Sequence, residues 1–256
     1  MRISLIQENI FWADKKANFD NIEAHLNILK THTDLVVLPE MFSTGFCVDQ
    51  PQLAENMQGE TIQFLTTCSQ KFNLAITGSF IATENELLFN RAFFVFPDGK
   101  VEYSDKRHLF SMGGENEYFT KGSKKLIVNY AGLNILLLVC YDIRFPVWSR
   151  NVDNEFDLLI YVANFPEKRI NNWDILLQAR AIENQCYVCG VNRIGRDNLG
   201  IKYNGHSVVL DYLGKNIATC NEGLSEVATV TIDKNSLQQF RNKSPFWKDA
   251  DTFELQ

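Results

Sequence analysis

The stretch Asn134-Ile135-Leu136-Leu137-Leu138-Val139-Cys140-Tyr141-Asp142-Ile143-Arg144-Phe145-Pro146-Val147-Trp148 decides how this chain is read. Ile135 to Val139 are all apolar and run straight into a cysteine. A short apolar run of this kind reads as a strand buried on both faces. The character then changes at once, with a tyrosine, an acid, an arginine and a proline following the thiol. Cys140 therefore stands where a buried strand ends. In open α/β sheets that is where ligands bind.

Working outward, the same pattern recurs. Residues 2–7 read as a first strand, and Phe19, Ile22, Leu26 and Leu29 repeat on one helix face. Asp34-Leu-Val-Val-Leu-Pro39-Glu40 is a second buried strand, closed by a proline and an acid. Ile62, Leu65, Cys68 and Phe72 mark a second helical stripe, and Leu74 to Ile81 a third strand. Ala92 to Phe96 and Lys100 to Tyr103 flank Pro97-Asp98-Gly99 and predict a hairpin that delivers Lys106 and His108. A short helix is expected from Pro146. Asp157 to Ala163 is a strand, 171–184 a helix, and Tyr187 to Asn192 a strand. A second hairpin turns about Leu213-Gly214, and Glu226 to Ile232 closes the sheet. Strands alternate with helices, and the hairpins near 92–104 and 207–220 hold similar places in two halves. That predicts an α/β fold with mixed sheets and a pseudo-symmetric, two-sheet sandwich. No low-complexity segment divides the chain, so residues 1–256 are expected to form a single domain.

Composition narrows the function classes. The 256 residues carry a net charge of −6, which gives no basic footprint and speaks against nucleic acid. No apolar run approaches the ~18 residues of a membrane helix, and the opening Met1-Arg-Ile-Ser-Leu lacks the form of a signal peptide. The cytoplasm is the expected location. Most of the six cysteines should then be reduced, small buried hydrophobes.

A free thiol at neutral pH is only slightly ionised, so a nucleophilic Cys140 needs a base or a positive neighbour. His25, on the solvated side of the first helix, His32 in a loop and His206 at a hairpin strand read as structural or solvated. His108 is less bland, because it stands two residues past Lys106. Glu40 and Lys106 share the topology of Cys140, each ending its own strand. An acid at an apolar rim should have a raised pKa and could take the thiol proton. A lysine nearby would favour thiolate and stabilise an oxyanion. Taken singly, each of the three reads equally well as a helix cap, a solvated lysine or core packing. Taken together, the coincidence must occur three times, and the set describes acyl transfer through a thioester.

Leu-Pro-Glu40, Asp-Lys106-Arg-His-Leu-Phe and Val-Cys140-Tyr-Asp-Ile-Arg-Phe-Pro resemble, in order and spacing, the three signatures of the nitrilase, or carbon–nitrogen hydrolase, superfamily. The likeness continues through Tyr-Val-Ala-Asn164-Phe-Pro and Arg180-Ala-Ile-Glu183-Asn. The resemblance implies a four-layer α-β-β-α sandwich. It makes Glu40 the general base, Lys106 the stabiliser of the tetrahedral intermediate and Cys140 the nucleophile. The Tyr141 N–H would be the second oxyanion donor. A further glutamate is implied in the loop after the lysine, with Glu115 the best fit and Glu117 the fallback. Within the family, Phe145-Pro-Val-Trp148-Ser-Arg-Asn151 looks like the bacterial omega-amidases, which hydrolyse the terminal amide of 2-oxoglutaramate and 2-oxosuccinamate. Many relatives carry a glutamate where Val147 stands. Other family amidases, nitrilases and acyltransferases are the alternatives, with a non-catalytic binding module behind them.

No phosphate-binding glycine motif and no complete metal-ligand set stand in the sequence, so no cofactor or metal is expected, while the resemblance implies a small-molecule amide substrate and a homodimer or larger assembly. Phe42, Phe110, Trp148, Phe165 and Trp173 follow strand ends and, with Asn164, are candidates for a small pocket, although core is the default for aromatics. Arg144, Asp142, Arg180 and Glu183 are candidates for a substrate carboxylate, with buried ion pairing the preferred reading. Cys186-x-x-Cys189 is discounted as a metal or redox motif, because in a strand positions i and i+3 face opposite ways and no second ligand pair exists.

Overall fold

The computed structural model describes residues 1–254. The chain runs β1 (Arg2–Gln7), α1 (Lys15–Leu29), β2 (Leu35–Val37), α2 (Glu60–Phe72), β3 (Ala75–Glu84), β4 (Leu87–Val95) and β5 (Val101–Asp105). Next come α3 (Glu115–Tyr118), β6 (Leu126–Tyr130), β7 (Leu133–Val139), β8 (Leu158–Ala163), α4 (Ile170–Asn184) and β9 (Tyr187–Asn192). Then follow β10 (Ile194–Arg196), β11 (Lys202–Asn204), β12 (Val208–Leu210), β13 (Asn216–Thr219), β14 (Glu226–Thr231) and α5 (Lys234–Lys243).

Two six-stranded sheets form, in the orders β14-β1-β2-β3-β4-β5 and β13-β12-β9-β8-β7-β6. Each has a parallel trio, β1-β2-β3 and β7-β8-β9, with antiparallel strands on both sides. The predicted pseudo-symmetry is thus real at the level of topology. The inner faces meet in one core, where Ile3, Leu5, Leu35 and Val37 oppose Ile135, Leu137, Leu158 and Ile160. The helices α1 and α2 cover the outer face of the first sheet through Phe19, Ile22, Leu65 and Phe72. The second sheet is covered by α4 through Trp173, Leu177 and Ala181. The result is the expected α-β-β-α layering. Near-continuous apolar strands are what burial on both faces demands.

Several details depart from the sequence reading. β3 and β4 are longer than expected and form their own hairpin. Its turn residues Asn85 and Glu86 both have positive φ (51° and 65°), the two-residue geometry that matches strand twist. No glycine announces that turn. The helical turn near the cysteine does not begin at Pro146 but spans Cys140–Arg144 as a 3-10 turn. It is fixed by Asp142, whose Oδ2 accepts the Val139 N–H at 3.0 Å. β6, the β10–β11 hairpin and α5 are additional elements. Cys186 and Cys189 do face opposite ways, one packing under α4 and the other between the sheets. His25 is not on a solvated side, since its Nε2 lies 2.9 Å from Glu8 Oε2.

Candidate active site

The three chemical residues of the sequence reading meet at one end of the sandwich. Glu40 follows β2, Lys106 follows β5 and Cys140 follows β7. The Lys106 side chain is fully buried, and its Nζ donates to Glu40 Oε1 at 2.9 Å and to Glu115 Oε2 at 2.8 Å. The backbone carrying it is held on both sides. Lys106 N–H donates to Asn90 O, and Lys106 O accepts from Gly122 N. Gly122 is obligatory there, because a Cβ would stand 1.9 Å from the Asp105 carbonyl oxygen.

Each carboxylate oxygen is individually held. Glu40 Oε1 also accepts from Asn90 Nδ2 at 2.8 Å, and Oε2 accepts the Asn164 N–H at 2.8 Å. Glu115 Oε1 accepts from Asn90 Nδ2 at 2.9 Å, and Oε2 accepts the Phe110 N–H at 2.6 Å. Glu115 is therefore the loop acid in the cluster, while Glu117 is exposed. Asn90 bridges both carboxylates and was missed in the sequence. Its signal was a polar pair, Asn90-Arg91, inside an apolar strand.

Cys140 has a left-handed backbone, φ 42°, an uncommon and strained conformation for a side-chain-bearing residue. That kink ends β7 and turns the next residues into the 3-10 turn. The Tyr141 N–H falls in the first turn, where a helix offers no internal acceptor. The Cys140 thiol hydrogen-bonds to the Glu40 carboxylate.

Electrostatics corrects one expectation and qualifies another. Glu40 is not raised: burial works upward, but Lys106, the Asn164 N–H and Asn90 outweigh it and hold the carboxyl below the ordinary range. Burial, added to the charge of Glu40, holds Glu115 above that range despite Lys106. Lys106 does pull Cys140 toward thiolate, as expected, but it is outweighed. Burial and the Glu40 charge push this thiol well above its ordinary value, so at rest it keeps its proton.

Above the cluster opens a cavity of about 1100 Å³. Of the predicted pocket residues it is lined by Phe110, Arg144, Asn164 and Phe165, together with Cys140, Tyr141 and Lys106. Phe42, Trp148 and Trp173 do not line it. Phe42 packs on Phe19 and Phe93 under α1 and α2, because Met41 (φ 46°) turns the chain inward after Glu40. Trp148 is buried in the second outer core, beneath Arg107 and Lys125. Trp173 supports Phe165 from behind and donates to His206 O. Sequence reasoning missed Trp12, Phe46 and Tyr203 on the wall, for they come from two loops and a hairpin some way from the strand ends it singled out.

The ion-pair reading holds for Arg180, which pairs with Glu183 at 2.9 Å and donates to Ile143 O. Asp142 is structural too, its Oδ1 taking the His108 N–H and facing His108 Nδ1 at 2.8 Å. It fails for Arg144, which among the described residues pairs with no carboxylate and faces the cavity.

This geometry has known counterparts. The carbon–nitrogen hydrolase family model matches residues 2–242. The chain belongs to the carbon–nitrogen hydrolase family. It is 40% identical to the omega-amidase YafV of Escherichia coli K12 over all of this chain and 98% of that relative. It is 31% identical to a 2-oxoglutaramate amidase of Bacillus subtilis, over 96% of each chain. The crystal structure of XC1258 from Xanthomonas campestris, a CN-hydrolase superfamily protein with an arsenic adduct in its active site, superposes with a TM-score of 0.98. That structure is 40% identical and is covered to 99%, against 100% of this chain. The protein is thus a hydrolase of carbon–nitrogen bonds other than peptide bonds. No helix among the described residues is long and apolar enough to cross a membrane.

Proposed function

We propose that this carbon–nitrogen hydrolase is an omega-amidase, releasing ammonia from the terminal amide of small 2-oxo acid amides such as 2-oxoglutaramate and 2-oxosuccinamate. Full-length likeness to the YafV omega-amidase and the 2-oxoglutaramate amidase supports this substrate class. The observation that carries the chemistry is the buried Glu40–Lys106–Glu115 cluster holding Cys140 at the foot of a cavity.

In the reading we adopt, Glu40 takes the thiol proton as Sγ attacks the amide carbonyl. A base is required, because the resting thiol is protonated. The carbonyl oxygen becomes an oxyanion between Lys106 Nζ and the Tyr141 N–H. Glu115 holds the lysine in place through two contacts. Collapse of the tetrahedral intermediate breaks the C–N bond, and Glu40 returns its proton to the departing ammonia. Water then gives a proton to Glu40 and attacks the thioester, and Cys140 is regenerated. Two lower barriers replace one high one.

The test is ammonia release from 2-oxoglutaramate, 2-oxosuccinamate, glutamine, asparagine, simple nitriles and N-carbamoyl amino acids. The two 2-oxo acid amides should lead by kcat/KM, and Cys140→Ala should abolish release. A flat or nitrile-led profile overturns the substrate class. Turnover retained in Cys140→Ala overturns the covalent route.

A further inference from the structure

Two arginines face the cavity, and neither has found an acidic partner. Arg144 stands in the turn begun by Cys140, with its guanidinium 5.7 Å from the Phe165 ring centre. Arg169 precedes α4, with its guanidinium 5.0 Å from the Phe110 ring centre. Both are half-buried, and among the described residues neither pairs with a carboxylate. The two rings are tied into the catalytic cluster. The Phe110 N–H holds Glu115, and Phe165 follows Asn164, which holds Glu40. Each guanidinium is thus one aromatic ring away from a residue bonded to a site carboxylate.

Of the other charges on the wall, Asp49 and Lys168 are exposed to solvent, and others are committed within the protein. Lys202 pairs with Glu167 at 2.7 Å. Asp197 accepts from Tyr203 OH and from two hairpin amides. The half-buried positive charges of the wall that pair with no carboxylate among the described residues are these two planar forks, which carry donors only.

We propose that Arg144 and Arg169 together anchor the far end of the substrate, a carboxylate with an adjacent 2-oxo oxygen, and thereby exclude α-amino acid amides. This deepens the omega-amidase reading and rests on it. A 2-oxo-carboxylate presents acceptors only, and the two forks present donors only, so every hydrogen bond is complementary and charge-assisted. An amino acid amide puts an ammonium where the 2-oxo oxygen would lie. Between the two forks its three donors would meet only donors, and its charge would oppose two guanidiniums.

The experiment uses Arg144→Met, Arg169→Met and the conservative Arg144→Lys. Turnover is measured on 2-oxoglutaramate, on glutaramate, which keeps the carboxylate without the oxo group, and on pentanamide, which has neither. In each Met variant the selectivity ratio of glutaramate over pentanamide, as kcat/KM, should fall at least about 30-fold, the cost of truncating a charged pair. Arg144→Lys should recover part of it. Binding of 2-oxoglutarate to Cys140→Ala protein, followed by calorimetry with and without the Arg→Met changes, reads the anchor without turnover and should weaken similarly. An unchanged ratio, or unchanged 2-oxoglutarate binding, overturns the anchor. A wild type that cleaves glutaramate but not 2-oxoglutaramate overturns the omega-amidase reading alone, and the anchor is then judged on glutaramate.

Discussion

Glu40 and Asn164 lie 124 positions apart and are joined by three hydrogen bonds, two of them short. The Asn164 N–H reaches Glu40 Oε2 at 2.8 Å, and Asn164 Nδ2 reaches the Glu40 main-chain oxygen at 2.7 Å. They follow the central strands of the two parallel trios, so this contact spans the sandwich at its pseudo-symmetric midpoint. Asn164→Ala keeps the backbone donor and loses the side-chain one. Leaving the Glu40 carbonyl unpaired should destabilise the fold by about 1–3 kcal/mol. A loosened base should lower kcat roughly 10- to 100-fold. Thermal unfolding and steady-state turnover check both numbers, and unchanged kcat would remove Asn164 from the positioning of Glu40.

The resting protonation of Cys140 is open to direct titration. Its thiol is pushed well up by burial and by Glu40. The ultraviolet thiolate absorbance of wild type minus Cys140→Ala should therefore stay flat between pH ~6 and ~9, bracketing the ordinary thiol value. A step in that window would mean a preformed thiolate beside Lys106. Glu40 would then not be needed for the first proton transfer.

Glu115 accepts on both oxygens, two donors to each. A glutamine there must turn one amide N–H₂ toward the Phe110 N–H or toward Lys106, donor against donor. Glu115→Gln should cost at least about 100-fold in kcat through a displaced Lys106, the scale of losing an oxyanion donor. KM should move little, since Glu115 lies below the cavity wall. A change confined to KM would assign Glu115 to substrate binding instead.

α5 is fastened by one buried arginine. Arg241 pairs with Asp157 at 3.0 Å and donates to the carbonyls of Gln185 and Phe156. Arg241→Ala leaves Asp157 to Lys234 and the Asn134 N–H, takes the donor from the Gln185 carbonyl, and should cost about 1–3 kcal/mol. For a chain of this size that lowers Tm by roughly 2–12 °C. Calorimetry reads the shift, while kcat per folded molecule should not move, because α5 does not border the cavity.

Glu40, Lys106 and Cys140 were legible because each ends a strand-like run, where an ionisable group is conspicuous, whereas Glu115 was reached only through the family resemblance. Asn90 was not legible, since it sits within a strand and its value comes from two carboxylates that reach it only in the folded state. Phe42, Trp148 and Trp173 share the strand-end position of Phe110 and Phe165. Whether such a ring faces cavity or core depends on one backbone angle, as at Met41. α5 escaped because Leu237 is its only buried apolar residue and Arg241, which docks it, reads in sequence as solvated. The sign of the Glu40 shift needed the partner distances, since burial alone argues the opposite way.

β1 pairs along its length with β14, from Arg2 opposite Thr231 to Gln7 opposite Glu226. During synthesis at about 5–20 residues per second, that partner follows β1 by roughly 10–45 s. Through this interval one edge of the first sheet stays open, with Ile3 and Leu5 without their full covering. The second sheet draws all its strands from one contiguous stretch, 126–219, and needs nothing from the opposite end of the chain. A nascent chain stalled before residue 226 would thus carry a strand inviting a neighbour's backbone. Ribosome pausing late in translation would prolong the life of that open edge.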